Sequence, residues 1–163
     1  MVNIREVKES DNPVLSQLIK CVFEEYDAPR DGTVYSDPTT DQLCDLFREE
    51  RSILWVAELD EKIVGCCGIY PTPGLPDDCA ELVKFYLSPE ARGQGIGKSL
   101  MEINIRSAID FGYSQLYIES LPEFDQAVRM YEKLGFSLLQ KPLGDSGHTS
   151  CSVWMIKELA KKN

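Results

Sequence analysis

Apolar residues recur along the chain at two spacings. At residues 14–23, Val14, Leu15, Leu18, Ile19, Val22 and Phe23 return at helical spacing. Asn12-Pro13 stands before them as a cap and a first-turn proline. Thr39, followed three residues later by Gln42, predicts a capped start for a short helix carrying Leu43, Leu46 and Phe47. Residues 3–7, 52–59 and 62–70 read as strands, the last two as a hairpin turning at Asp60-Glu61. Residues 82–87 (LVKFYL) form a short, nearly continuous apolar run, as a buried strand does, and Ser88-Pro89 ends it. From Ile96 the helical spacing resumes through Leu100, Met101, Ile103, Ile105 and Ala108, and Gly112 stands just past its end. The remainder predicts a strand at 115–120, a helix at 121–134 stopped by Gly135, strands at 136–139 and 150–156, and a charged tail at 157–163.

Between these elements lie a polar loop at 26–38, a Pro-rich excursion at 71–78 and a Gly- and Pro-containing loop at 141–149. The order is β-α-α-β-β-β-α-β-α-β-β. It implies an α/β (α+β) fold: a mixed sheet with helices on both faces and one β-α-β crossover. A chain of 163 residues with 43% apolar content fits a single globular domain, 1–163.

The stretch joining the run at 82–87 to the following helix carries the most distinctive chemistry: Arg92-Gly93-Gln94-Gly95-Ile96-Gly97-Lys98. A helix N-terminus leaves its first amides unpaired and favours negative charge. Glycines at alternate positions let a ligand approach the backbone and permit the positive φ that turns amides inward. A pyrophosphate suits such a turn, whereas a purely structural role needs the glycines for geometry alone. The spacing is wrong for a P-loop, and the turn lies too late in the chain for the usual dinucleotide fingerprint.

These residues resemble the phosphate motif of the GNAT (Gcn5-related) N-acetyltransferases, Arg/Gln-x-x-Gly-x-Gly/Ala, matched by Arg92 to Gly97. A second segment, Ala127-Val128-Arg129-Met130-Tyr131-Glu132-Lys133-Leu134-Gly135-Phe136, is similar to the family's later A…YEKLGF motif. The resemblance implies a mostly antiparallel sheet of about seven strands. It also implies acetyl-CoA as acyl donor and direct transfer to an amine in a ternary complex. Cofactor contacts would come from Phe85, Tyr86 and Leu87, by strand-like pairing of the pantetheine arm, and from Arg92, Gly93, Gln94, Gly95, Ile96, Gly97 and Lys98. A homodimer is common in such proteins. In many members the resemblance implies an asparagine contacting the cofactor three residues before the position of Ala127; here Phe124 stands there, so that contact is expected to be absent or replaced by packing.

Acyl transfer to an amine needs a base, an oxyanion site and a group to meet the leaving thiolate. Glu81 is the candidate base: strand alternation places it on one face with Val83, Phe85 and Leu87, where desolvation would raise its pKa. The alternative is a strand-end glutamate that reaches solvent or pairs with Lys84 or a cation of a neighbouring strand. Tyr131 is the candidate acid; its helical stripe also fits a core tyrosine, and the family motif favours the cofactor sulfur. A backbone amide of Leu87 or Phe85 would meet the oxyanion. In the family, the first two helices and their loop wall the acceptor groove, which directs attention to Tyr26, Arg30, Asp31, Tyr35 and Asp37. His148, the single histidine, reads as groove lining rather than as the base, and nothing orients a base beside Cys151.

Composition narrows the rest. The net charge of −10 argues against nucleic acid and suits an amine substrate, or simply solubility. Six cysteines without CxxC pairing and one histidine predict free thiols and no metal site. No run is long enough to span a membrane and no signal-peptide core is present, so a cytoplasmic location is expected. Two other readings keep the glycine turn: a catalytically silent acetyl-CoA sensor, which would not need Glu81 or Tyr131, and a nucleotide-binding domain.

Overall fold

The computed structural model describes residues 1–161. Seven strands form one sheet: β1 (Val2–Glu6), β2 (Ile53–Leu59), β3 (Lys62–Tyr70), β4 (Cys79–Leu87), β5 (Gln115–Ser120), β6 (Ser137–Leu139) and β7 (Val153–Glu158). Their spatial order is β1-β2-β3-β4-β5-β7-β6. Every neighbouring pair is antiparallel except β4 with β5. Four α-helices complete the predicted order: α1 (Asn12–Glu25), α2 (Leu43–Leu46), α3 (Ile96–Asp110) and α4 (Asp125–Lys133).

The alternation of the strands divides the core between the two faces. One core joins Leu15, Ile19 and Phe23 of α1 and Leu43 of α2 to Leu54, Val56 and Cys66. The other joins Ile96, Leu100 and Met101 of α3 and Tyr131 of α4 to Ala57, Cys67, Leu82, Leu116 and Ile118. The adjacent Cys66 and Cys67 therefore point into opposite cores, as a period of two requires. All six cysteines are free.

Four local expectations change. Asn12 is the first residue of α1, and its Oδ1 accepts from the Cys44 amide at 2.9 Å, tying α2 to α1. The cap near Thr39 belongs to Asp37, whose carboxylate accepts from the Thr39 amide and hydroxyl at the head of a short 3₁₀ turn. The helix expected over 121–134 begins with a 3₁₀ turn at Pro122–Phe124 before α4. The last strand, expected over 150–156, starts and ends later, at Val153–Glu158, and its added residues Lys157 and Glu158 pair with Leu116 and Gln115. Of the predicted charged tail, residues 162–163 lie outside the described residues.

Candidate active site

The site arises where β4 leaves β5. The two strands pair only at Cys79, Ala80 and Glu81. Three residues later Lys84 takes φ +56°, and the register with β3 shifts between Val83 and Tyr86. Such a bulge adds one residue to a strand and bends it. It also reverses the alternation. Val83 packs in the α1 core, whereas Phe85 and Leu87 pack in the α3 core and Tyr86 returns to the α1 side. The expectation that Glu81 shares a face with Phe85 and Leu87 is thus corrected: the bulge at Lys84 separates them.

A cleft of about 310 Å³ fills the wedge between the strands. Residues 81–87 form one wall and Glu119, Ser120 and Leu121 the other, with Ala127, Met130 and Tyr131 of α4 alongside. Arg92, Gly93, Gly95, Gly97 and Lys98 lie at its mouth. Ser88 donates its amide to Val64 of β3 at 2.8 Å. Extended backbone then turns the amides of Leu87 and Phe85 the opposite way, into the wedge.

The glycine turn divides its work. Gly93 and Gly95 have φ of +76° and +81°, and a Cβ on either would meet nothing within 4 Å. Their backbone is bare and open. Gly97 has ordinary helical φ; a Cβ there would lie 3.1–3.3 Å from Leu87, Phe85 and Met130, so it is small for packing. The first helical bond is Ser99 N to Gly95 O, which leaves the amides of Ile96, Gly97 and Lys98 without helical acceptors. The Ile96 side chain is core, and Gln94 donates to the Glu90 carbonyl at 2.6 Å. Lys98 is exposed beside Glu102. Arg92 forks onto Glu25 of α1 at 2.5 and 2.9 Å, donates to the Leu87 carbonyl at 2.9 Å and covers the Tyr26 ring.

Glu81 is 4% exposed, and Thr72 donates to its Oε1 at 2.7 Å. Burial pushes its pKa up to about 7, against which the Thr72 hydrogen bond works in the lowering direction. Tyr131 is buried with its ring 6.0 Å from Phe85 and from Phe136, and its hydroxyl makes no hydrogen bond among the described residues. Burial raises its pKa well above the ordinary phenol value. Cys151 borders the cleft, but burial pushes its thiol up to about 12, so it stays protonated.

A second cavity of about 190 Å³ adjoins the first through Glu81, Lys84 and His148. Asp37, Leu46, Tyr70, Thr72 and Val83 also line it. His148 Nε2 lies 2.8 Å from Asp37. Burial acts to raise the Asp37 pKa, but hydrogen bonds from His148 and Thr39 outweigh it and hold the carboxyl at about 2. Of the loop residues singled out in the sequence, Tyr26 and Asp37 border the cavities. Arg30, Asp31 and Tyr35 do not: Arg30 stacks on the Tyr35 ring, whose hydroxyl donates to Glu24, and the Asp31 carbonyl accepts from Ser150. Phe124 packs edge-on against Phe23 and Tyr26 at 5.1 and 5.6 Å.

Sequence reasoning missed two charged side chains. Glu119, on β5, accepts from the hydroxyls of Tyr117 and Ser146 at the cleft wall. Lys84 is 6% exposed. Its signal was present: a lysine inside an apolar run that a central strand buries on both faces.

The model of the Acetyltransferase (GNAT) family matches residues 18–136. Over 157 residues the chain is 34% identical to the uncharacterized N-acetyltransferase YjgM of Escherichia coli (strain K12), spanning 96% of this chain and 94% of that protein. It is 33% identical to human N-acetyltransferase 8 over 76% of this chain and 54% of that protein. Among solved structures, a GNAT-family acetyltransferase from Staphylococcus aureus Mu50 superposes with a TM-score of 0.83 at 20% identity, covering 98% and 100% of the two chains. The acetyltransferase yncA from Salmonella typhimurium, solved with acetyl-CoA, gives 0.76 at 15% identity over 100% and 96%. The chain belongs to the GNAT acetyltransferase family.

Proposed function

We propose that the chain transfers an acetyl group from acetyl-CoA to an amine by direct attack, with Glu81 as general base and Tyr131 as general acid. The observation that carries this reading is the wedge between β4 and β5, which leads from the bare amides before α3 to a desolvated carboxylate. In this reading the pyrophosphate of the donor rests on the turn from Gly93 to Lys98, as anions do at helix N-termini. The pantetheine arm lies along Phe85, Tyr86 and Leu87 as an added strand. Arg92 acts by holding α1 against the turn, because its guanidinium is engaged by Glu25 and the Leu87 carbonyl. That differs from a direct phosphate contact.

The acceptor ammonium gives one proton to Glu81, directly or through water. The free amine attacks the thioester carbonyl carbon, forming the C–N bond. The developing oxyanion meets the amide of Leu87 or Phe85. Collapse breaks the C–S bond, the nitrogen loses its second proton to water, and Glu81 returns the first to solvent. The thiolate takes a proton from the Tyr131 hydroxyl, which solvent restores. The products are the amide, coenzyme A and one net proton.

A thermal shift with acetyl-CoA, coenzyme A, NAD and ATP at equal concentration tests the donor. A ligand bound only by the folded state raises the midpoint. A rise with the two CoA species and none with NAD or ATP is expected; no rise with either CoA species overturns the reading. Replacement of Glu81 and Tyr131 that abolishes turnover but not this shift separates an enzyme from a silent sensor.

A further inference from the structure

Lys84 is unusual among the cations of the cleft. Arg92 is engaged by Glu25, His148 by Asp37, and Lys98 stands exposed at the phosphate end. Lys84 borders both cavities at the bulge in β4. Its Nζ makes no hydrogen bond, and no carboxylate lies within 4 Å of it, among the described residues. Nor is that nitrogen sealed: the fully enclosed unpartnered side-chain atoms among the described residues are Ser88 Oγ and Asn104 Oδ1. Its ammonium therefore opens onto the cavities.

A buried charge without a partner is expensive to hold away from water. Asp37 and Glu81 face Lys84 at longer range, as do the Cys66 and Cys151 thiols. Both carboxylates have nearer partners, Asp37 in His148 and Thr39, Glu81 in Thr72. Burial lowers the Lys84 pKa, the direction expected of an ammonium short of compensation. An incoming anion would supply it.

We infer that the acceptor is a small zwitterion of the amino-acid class, its carboxylate held by Lys84 and its amine presented to Glu81. The inference rests on the acetyltransferase reading above and names the substrate of that same site. The size agrees: the second cavity, about 190 Å³, falls below the roughly 300–1,000 Å³ of pockets for drug-sized ligands. Leu46, Tyr70 and Val83 give it an apolar wall for a side chain. A polyamine or a lysine side chain would instead bring a second cation beside Lys84, where the carboxylates, Asp37 and Glu81, already have His148, Thr39 and Thr72 as partners. The net charge of −10 does not reveal this preference, because it is a property of the whole chain, whereas the ammonium without a close partner in this cavity is that of Lys84.

The test uses the whole chain and three matched acceptor sets: the free amino acids, their α-carboxamides, and amines lacking the carboxylate, spermidine included. Release of coenzyme A thiol is followed for each, beside the acetyl-CoA melting shift. One or more amino acids should exceed their own amides in kcat/KM by tenfold to a hundredfold, about the worth of a charged hydrogen bond. Lys84→Met should collapse that ratio, mainly through KM, and an intact acetyl-CoA shift shows the variant is folded. If it does not fold, the ratio in the unaltered protein still decides. Amides or spermidine used as well as every amino acid would overturn the carboxylate assignment alone. Absence of an acetyl-CoA shift would overturn the acetyltransferase reading and this inference with it.

Discussion

At residue scale, the proposed chemistry rests on two buried side chains, Glu81 and Tyr131. Glu81 loses water, and neither the Thr72 hydrogen bond nor the more distant Lys84 makes it up, so its proton is held more tightly in the folded protein than in the unfolded chain. Its contribution to stability is fully present below the ordinary carboxyl value of 4.5 and is lost as pH rises through about 7. Glu81→Gln should therefore stabilise the protein at pH 8, by up to about 3 kcal/mol on a shift of this size. It should also cost roughly 10²–10⁴-fold in turnover, the usual worth of a general base. Denaturant midpoints and rates on one preparation check both; a variant that is active and no more stable would refute the assignment. The rate of the unaltered protein should climb through pH 7 as the carboxyl ionises. Tyr131→Phe keeps the ring contacts with Phe85 and Phe136 and removes only the hydroxyl. Turnover should fall while the acetyl-CoA melting shift persists. A core tyrosine without a chemical role would leave turnover unchanged.

At the scale of elements, the three glycines before and within α3 separate by mechanism. Gly97→Ala should destabilise the fold by roughly 1–3 kcal/mol, because its Cβ meets Leu87, Phe85 and Met130 too closely. Gly93→Ala and Gly95→Ala meet no neighbour but force an alanine into positive φ, a cost of roughly 1–2 kcal/mol. They also add a methyl where the donor's phosphates are proposed to rest, so their KM for acetyl-CoA should rise. A KM effect at Gly97 equal to that at Gly93 would contradict this division. Asp11 joins elements in another way. Its buried carboxylate takes two hydrogen bonds from Arg5 of β1, at 2.8 and 3.0 Å, and one from the Lys8 amide at 2.7 Å. Arg5 also reaches Glu58 of β2. Asp11→Ala should destabilise the protein by roughly 1–3 kcal/mol at pH 7, since it leaves Arg5 and an amide short of acceptors; urea unfolding at pH 7 measures it.

Across the whole molecule these groups oppose one another with pH. Burial acts to raise the Asp37 and Asp11 pKa values, but hydrogen bonds from His148 and Thr39, and from Arg5 and Lys8, lower them below 3.8. Their stabilisation is present above 3.8 and is lost as pH falls below it, for Asp37 as pH approaches about 2. Glu81 works from the other side, losing stability as pH rises through about 7. Stability should therefore be greatest between about pH 4 and 5 and decline in both directions. In Glu81→Gln the decline toward pH 8 should flatten. Unfolding midpoints from pH 3 to 8 decide this, and a curve level from 5 to 8 in the unaltered protein would count against a desolvated Glu81.

Much of this was legible in the chain. Helical spacing from Val14 to Phe23 and from Ile96 to Ala108, the turn at Asp60-Glu61 and the glycines past α3 and α4 act within a few residues. Each therefore appears in the sequence where it acts in the fold, and the element order follows from them. The phosphate turn and the YEKLGF segment were local for the same reason. Parity along β4 was not. It depends on a bulge at Lys84, which is set by pairing with β3, and that bulge moved Glu81 off the face of Phe85 and Leu87. Nor was the pairing of His148 with Asp37, 111 residues apart, or the approach of Glu119 from β5. Desolvation is a property of what surrounds a group, and the surroundings of Glu81 and Lys84 come from segments remote in the chain. The sequence by itself determined the elements, their order and the glycine-rich turn before α3. Only the tertiary structure decided which carboxylate is dry and which ammonium is left facing the cavity.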